Sequence, residues 1–438
     1  MGDRAMNLRA VIPFAIFFAL IFATGEMQSW SLALSILNLC LVSAVMALGI
    51  NMQWGYAGLV NFGVMGFTAL GGLAVVLIAV PPVDDAWAAG GAGVMLTLLI
   101  VLGGVAALLA LRRVSVGLLR AAVTVGGALI VLIVAANILG PATEAIEDVD
   151  PSFTGFLGGL GLPVLFSWLV GGLFAAGAAF IIGKIALGLR ADYLAIATLG
   201  VSEIIIAILM NEDWLARGVK NVVGLPRPVP FEVELREDSW FISLQEQLGV
   251  GAVELSSVVV KLAYVGLFVV VLALILWFAQ KVLWSPWGRM MRAVRDNETA
   301  AEAMGKDVKR LHLLVFVIGS GVIGVAGAMM TTLDGQFTPG SYQPLRFTFL
   351  IWVMVIVGGS GNNWGATLGA FIVWFTWVQA EPLGRWLIDN ATFWLGEESA
   401  VRQHLLDNAA QMRLVVMGIV LLLVLRFAPR GIIPEAQR

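Results

Sequence analysis

Charge is scarce in this chain: of 438 residues, only 13% are Asp, Glu, Lys or Arg. Soluble domains carry about 25%, so a molecular surface facing water on all sides is excluded. Cysteine is scarcer still. The single Cys40 excludes a disulfide framework and a cysteine-based metal site, and its place in an apolar run marks it as a small packing residue. Only two histidines occur, His312 and His404. Neither lies near a cluster of carboxylates, so no metal site and no cofactor are expected. Walker A, GxSxG and HExxH patterns are all absent. The chain therefore has no P-loop with which to hydrolyse ATP, no catalytic residue is expected, and no nucleic-acid partner is expected. No small-x-small cleavage site follows the first apolar run, which is expected to be retained as a span.

What is present is hydrophobic: 60% of the residues, with a mean hydropathy of +0.93. These residues come in blocks, and a membrane crossing needs roughly 20 mainly apolar residues. The blocks run over 10–24, 30–50, 57–80, 93–111, 121–140, 161–184, 193–210, 256–280, 311–332, 345–358, 362–380 and 412–427. They predict an all-α, polytopic membrane helical bundle of about 10–12 transmembrane helices, forming one transmembrane domain over 1–438 and surrounded by membrane lipid. The segment 81–160 is expected to add two spans.

Loop charges predict an orientation. Segment 112–120 carries Arg112, Arg113 and Arg120 without an acid, whereas 81–92 and 141–160 carry only acids. If the N-terminus is cytoplasmic, most of the basic residues fall on the cytoplasmic side, including Arg4, Arg9, Lys184, Arg190, Arg426, Arg430, Arg438 and the 281–310 cluster. The positive-inside rule then predicts an N-in, C-in chain, with 211–255 and 381–411 external and 281–310 cytoplasmic.

The segment 284–310 reads WSPWGRMMRAVRDNETAAEAMGKDVKR. Ser285-Pro286 ends the preceding span. From Trp287 the pattern is helical, with Arg289, Arg292 and Arg295 recurring every third residue. A second short helix spans Asn297–Met304, and Gly305 is placed to end it. Such an Ala/Met-faced helix suits docking in a groove or, equally well, anchorage on anionic lipid.

This loop resembles the cytoplasmic coupling loop of ABC importer permeases of the LivM-type branched-chain amino-acid family, which carries SPxGRxxRAxRxNExAAEAxG. Ser285, Pro286, Gly288, Arg289, Arg292, Ala293, Arg295, Asn297, Glu298, Ala300, Ala301, Glu302, Ala303 and Gly305 match it. Against the generic importer signature, Thr299-Ala300-Ala301 stands where Glu-Ala-Ala is usual. Residues 55–73, GYAGLVNFGVMGFTALGGL, are similar to the family's GYAGxxSLGHAAFFGIGAY, with Val64 for His and Leu73 for Tyr. Residues 189–204 match LRGDYLAIxTLGxxEI with Ala191 for Gly, and 350–370 match LxMVVxGGxGSxxGxxLGA. The resemblance implies a non-catalytic permease subunit in a bacterial inner membrane, importing branched-chain or related amino acids, or alternatively urea or short-chain amides. Its implied partners are two ABC ATPase subunits, a second homologous permease subunit and a periplasmic or extracytoplasmic substrate-binding protein. Arg289, Arg292, Arg295, Glu298, Ala300, Ala301, Glu302 and Gly305 would couple it to the ATPases. That role requires the loop to be rigidly tied to the spans.

Candidate path residues are Asn61, Gly63, Phe67, Thr198, Glu203, Gly358, Gly359 and Gly361. Glycines in 55–72 give a helix surface that backbones can approach closely, which serves packing or a path. Gly358, Gly359, Gly361 and Gly365 are placed to unwind the backbone, tolerated at membrane depth only where protein or a water-filled cavity surrounds it. Glu203, near the middle of a span, is either functional or a structural hydrogen-bonding group. Lys184 and Lys261 are expected to snorkel, and His312 to be interfacial. An ion-driven secondary transporter, an intramembrane enzyme and a scaffold are the competing classes. The first would want paired intramembrane carboxylates, and the second a catalytic cluster that is not visible.

Overall fold

A computed structural model describes residues 8–114, 117–151, 153–394, 396 and 399–435. Arg4 and Arg438, counted in the orientation above, lie outside the described residues. The chain is a multi-pass helical membrane protein. Its principal helices are α1 (Leu8–Met27), α2 (Trp30–Ile50), α3 (Val64–Ala79), α4 (Ala92–Val114), α5 (Gly117–Glu147), α6 (Val164–Ala186) and α7 (Ala191–Asn211). They continue with α8 (Ala252–Trp284), α9 (Pro286–Asp296), α10 (Glu298–Ala303), α11 (Val308–Asp334), α12 (Pro344–Gly358), α13 (Asn363–Ala391) and α14 (Met412–Phe427). Among the described residues, 8 helices are long and apolar enough to cross a membrane, and the apolar parts of α1, α3 and α12 are shorter.

The helices run between two ends. At one end the loops around Pro82 and Gly158 form a β-bridge, Leu157 N–H donates to the Trp214 carbonyl, and a two-stranded antiparallel ladder, β1 (Val222–Val223) with β2 (Gln336–Phe337), ties the 211–255 segment to the end of α11. At the other end lie α9, α10 and the connections between α2 and α3 and between α12 and α13. The centre is α2, packed by α8, α11 and α13, while α3 fits between α6 and α11. The α4–α5 hairpin packs mainly on itself and leaves most of its surface outward.

Close approach at the centre depends on missing side chains. A Cβ on Gly71 of α3 would lie 1.9 Å from the Gly324 carbonyl oxygen of α11, and one on Gly324 would lie 2.5 Å from the Gly171 carbonyl oxygen of α6. Three helices thus meet backbone to backbone, as small residues permit in a lipid environment without a hydrophobic drive between helices.

Four local expectations need correction. The block at 57–80 is helical only from Val64: α2 runs into a π-helical turn at Asn51–Gly55, and 58–63 are irregular, so Gly55, Gly58 and Gly63 do not share one helix surface. Gly58, at φ +70°, adopts a conformation closed to most side chains. The block at 362–380 stays helical through Pro382 to Ala391, where Glu381 pairs with Arg385 and also with Arg413. Lys261 turns inward, donating to the Ser31 carbonyl and hydroxyl and so joining α8 to α2. His312 is buried against the bundle.

Gly324→Leu is expected to overpack the three-helix contact, at a cost of about 1–3 kcal/mol or more. Thermal unfolding of the detergent-purified protein should show a lowered midpoint, whereas an unchanged midpoint would contradict the packing described.

Candidate functional site: the α9–α10 end of the bundle

Helix α9 begins where the sequence demands. Pro286 occupies its first turn and the Ser285 hydroxyl accepts from the Gly288 N–H at 3.2 Å, a Ser N-cap with Pro inside it. Helix α10 follows after one residue. Asn297 is its cap, its side-chain oxygen accepting from the Ala300 N–H at 2.9 Å. Gly305, at φ +76°, turns the chain toward α11.

The three arginines of α9 do not share one environment. Arg289 is exposed, its guanidinium beside the Trp284 carbonyl. Arg292 and Arg295 are turned toward the bundle together with the buried Met291 and Val294. Arg295 donates to the Gly55 carbonyl at the end of the π-helical turn, and to Glu435 at 2.9 Å. Arg292 lies 3.9 Å from the other Glu435 oxygen. On α10, Ala301 is buried, while Glu298, Ala300 and Glu302 point outward, as do Gly305 and the 79%-exposed Met304 beyond its end.

Under α9 the two non-helical connections meet. The Asn51 side chain spans both, its oxygen accepting from the Gly361 N–H at 2.8 Å and its amide donating to Asn363 Oδ1 at 3.1 Å. The Tyr56 hydroxyl donates to the same Asn363 oxygen. Burial, reinforced by the nearby Glu435 charge, pushes the Tyr56 phenol well above its ordinary pKa, so it remains a donor. Gly359 and Gly361 have φ of +118° and +79°, which breaks the chain between α12 and α13.

A second polar chain continues inward. Gln53 donates to the Phe316 carbonyl and the Ser320 hydroxyl, both at 3.0 Å, and accepts from Asn61 at 2.8 Å. Asn61 in turn accepts from the Gly63 N–H through its side chain and from Trp352 through its carbonyl. The Thr198 and Ser202 hydroxyls of α7 accept from the Phe62 and Gly66 N–H groups.

The sequence-predicted path residues therefore divide. Asn61, Gly63, Phe67 and Thr198 lie together in the interior, and Gly358, Gly359 and Gly361 sit at the α12–α13 break. Glu203 stands apart. It is exposed on the outer face of α7 among Ile196, Ile204 and Ile208, whereas Leu194, Ser202 and Ile206 face inward. Sequence reasoning missed Asn51, Gln53, Tyr56, Asn363 and Glu435. For the first two a signal existed: amide side chains closing a long apolar run.

The family described as branched-chain amino acid transport system permease component matches residues 120–425. A high-affinity branched-chain amino acid transport system permease protein LivM from Escherichia coli K12 is 27% identical over 61% of this chain and 57% of its own length. The corresponding Salmonella typhimurium protein is 27% identical over 61% of this chain and 56% of its own length. The chain thus spans little more than half of these two relatives. A probable branched-chain amino acid transport permease protein LivM from Methanocaldococcus jannaschii is 25% identical over 89% of this chain and 90% of its own length. No solved structure matches the chain.

Asn51→Leu removes a bridge and leaves the buried Gly361 N–H without its acceptor, at a cost of about 1–3 kcal/mol. Hydrogen exchange at 359–363 is expected to accelerate. Unaltered protection there would contradict the bridging role.

Proposed function

The chain belongs to the branched-chain amino acid transport system permease family, and from that premise we propose that it is the membrane-spanning subunit of an ATP-driven importer of branched-chain or related amino acids. One of two ATPase subunits would dock on α10. A substrate-binding protein would deliver the amino acid at the opposite end, and the chain would sit N-in, C-in in a bacterial inner membrane.

One observation carries this reading: α10 offers an outward face while α9, one residue before it, is fastened to the polypeptide connections under it. A docking helix transmits force only if its far side is rigidly held. Here Ala300, Glu298, Glu302, Gly305 and Met304 are open to a partner. Arg295 grips Gly55 between α2 and α3. A displacement of α10 would therefore reach α2, which lies at the centre of the bundle, through two contacts.

Glu203 supports a path shared with a second homologous permease subunit. An ionised side chain near the middle of a span costs about 2.5–3.5 kcal/mol or more if it faces lipid. The α7 face carrying it would be covered by the second subunit, with Glu203 on the side of the water-filled path. Asn61, Gly63, Phe67 and Thr198 support α7 from behind, and Gly358, Gly359 and Gly361 act at the break.

Uptake of labelled leucine, in cells lacking the chain and complemented with it, tests the reading. Wild type is expected to restore uptake. Glu298→Arg/Glu302→Arg is expected to lower it roughly tenfold at equal membrane levels, on the scale of lost or reversed charge pairs across an interface. Cold isoleucine, glutamate and urea serve as competitors. Uptake that never depends on the chain, or that only urea inhibits, overturns the amino-acid assignment. Full activity of the charge-reversed protein overturns the docking role of α10.

A further inference from the structure

The residues after α14 make a contact that neither the motif nor the family assignment accounts for. From Ala428 the chain turns back under the bundle and runs along the α12–α13 break. Ile432 N–H donates to the Val357 carbonyl and Ile433 N–H to the Gly358 carbonyl, both at 2.9 Å. Asn362 donates its side-chain amide to the Pro434 carbonyl at 3.1 Å. The path is tight enough to specify glycine on both sides: a Cβ on Gly431 would lie 2.2 Å from Gly359 Cα, and one on Gly359 would lie 2.4 Å from the Ile433 carbonyl oxygen.

This run ends with Glu435 directly over Gly361, where a Cβ would lie 2.7 Å from the carboxylate. The carboxylate faces Arg295 at 2.9 Å and Arg292 at 3.9 Å. Across Arg295 lies Asp296, which pairs with the same guanidinium at 3.2 Å. Arg292, Arg295 and Glu435 are each about a quarter exposed, so water screens the pair only in part. One carboxylate thus joins three bodies: the coupling helix α9, the α12–α13 break and the last spanning helix.

Resting on the importer reading, we propose that Glu435 is a positioning residue for coupling, and that residues 428–435 form a strap that makes α9, the α2–α3 connection, the α12–α13 break and α14 move together. Without it, Arg295 still reaches Gly55, but α9 is linked to α14 only indirectly, through Asn51, the α12–α13 break and the packing of α13 on α14. The strap makes motion at the docking face into motion of helices on both sides of α2. Its loss would leave ATP hydrolysis running with less transport per cycle.

Glu435→Gln keeps the shape of the side chain and removes its charge. Two measurements on the full chain read its effect. Amide hydrogen exchange of the purified protein, which needs no substrate, is expected to rise at 292–296 and 359–362 and to stay unchanged in the α4–α5 hairpin. In proteoliposomes holding the importer with its ATPases and binding protein, leucine uptake per ATP hydrolysed is expected to fall about tenfold, the scale of one charge-assisted hydrogen bond, while ATP hydrolysis persists. Unchanged exchange at both segments overturns the strap. Faster exchange with unchanged uptake per ATP overturns its role in coupling. A wild-type importer that moves no leucine overturns the functional reading instead, and the strap is then judged by the exchange result alone.

Discussion

Backbone that leaves a helix inside an apolar bundle must find hydrogen-bond partners within the protein, because lipid offers none. The α9–α10 end of this chain contains two such departures, after Ile50 and after Gly358. They are placed against each other so that each supplies what the other lacks. Asn51 caps both at once, and Asn363 and Tyr56 close the contact. The position of α9 follows from this arrangement: the Gly55 carbonyl freed by the π-helical turn is the acceptor that holds Arg295. Short π-helical turns often mark such sites, since the widened turn releases carbonyls for use elsewhere.

The rest of the bundle separates what must hold still from what is left outward. The glycine contact among α3, α6 and α11 fixes the centre at backbone distance. The polar chain from Gln53 through Asn61 to Trp352 carries that order toward α7 and α12. Outside this frame lie the α4–α5 hairpin, the Glu203 face of α7 and the exposed side of α10. The first suits lipid by composition. The second does not, since it sets the Glu203 carboxylate among isoleucines, and the third carries Glu298 and Glu302 beside small residues.

Much of the helix order was legible in the sequence, because apolar blocks of span length leave few alternatives. Helices α9 and α10 were legible as elements, from the break at Ser285-Pro286 to the stop at Gly305, whereas Asn297 read as the first residue of α10 and not as its cap. The start of α3 was not. Glycine at 55, 58 and 63 fits a packed helix surface as well as a broken one, and only the partner segment around Gly361 decides between them. Glu435 was invisible for a related reason: its role depends on contacts about 140 residues away in sequence with Arg292 and Arg295, and periodicity reports nothing about such pairs. Glu203 was recognised as unusual, but its outward direction follows from the packing of α7 on α3, α6 and α12.

The central claim is that the docking face and the broken end of α2 form one mechanical unit. Spin labels at Ala300→Cys and Val60→Cys, with a second pair at Ala300→Cys and Glu246→Cys, would report it in the assembled importer by pulsed dipolar spectroscopy, Cys40 being buried. Across ATP binding and hydrolysis, the account predicts an unchanged distance from 300 to 60 and a changed distance from 300 to 246. A distance from 300 to 60 that shifts with nucleotide would mean that α10 slides over the α2–α3 connection without moving it, and would contradict the account.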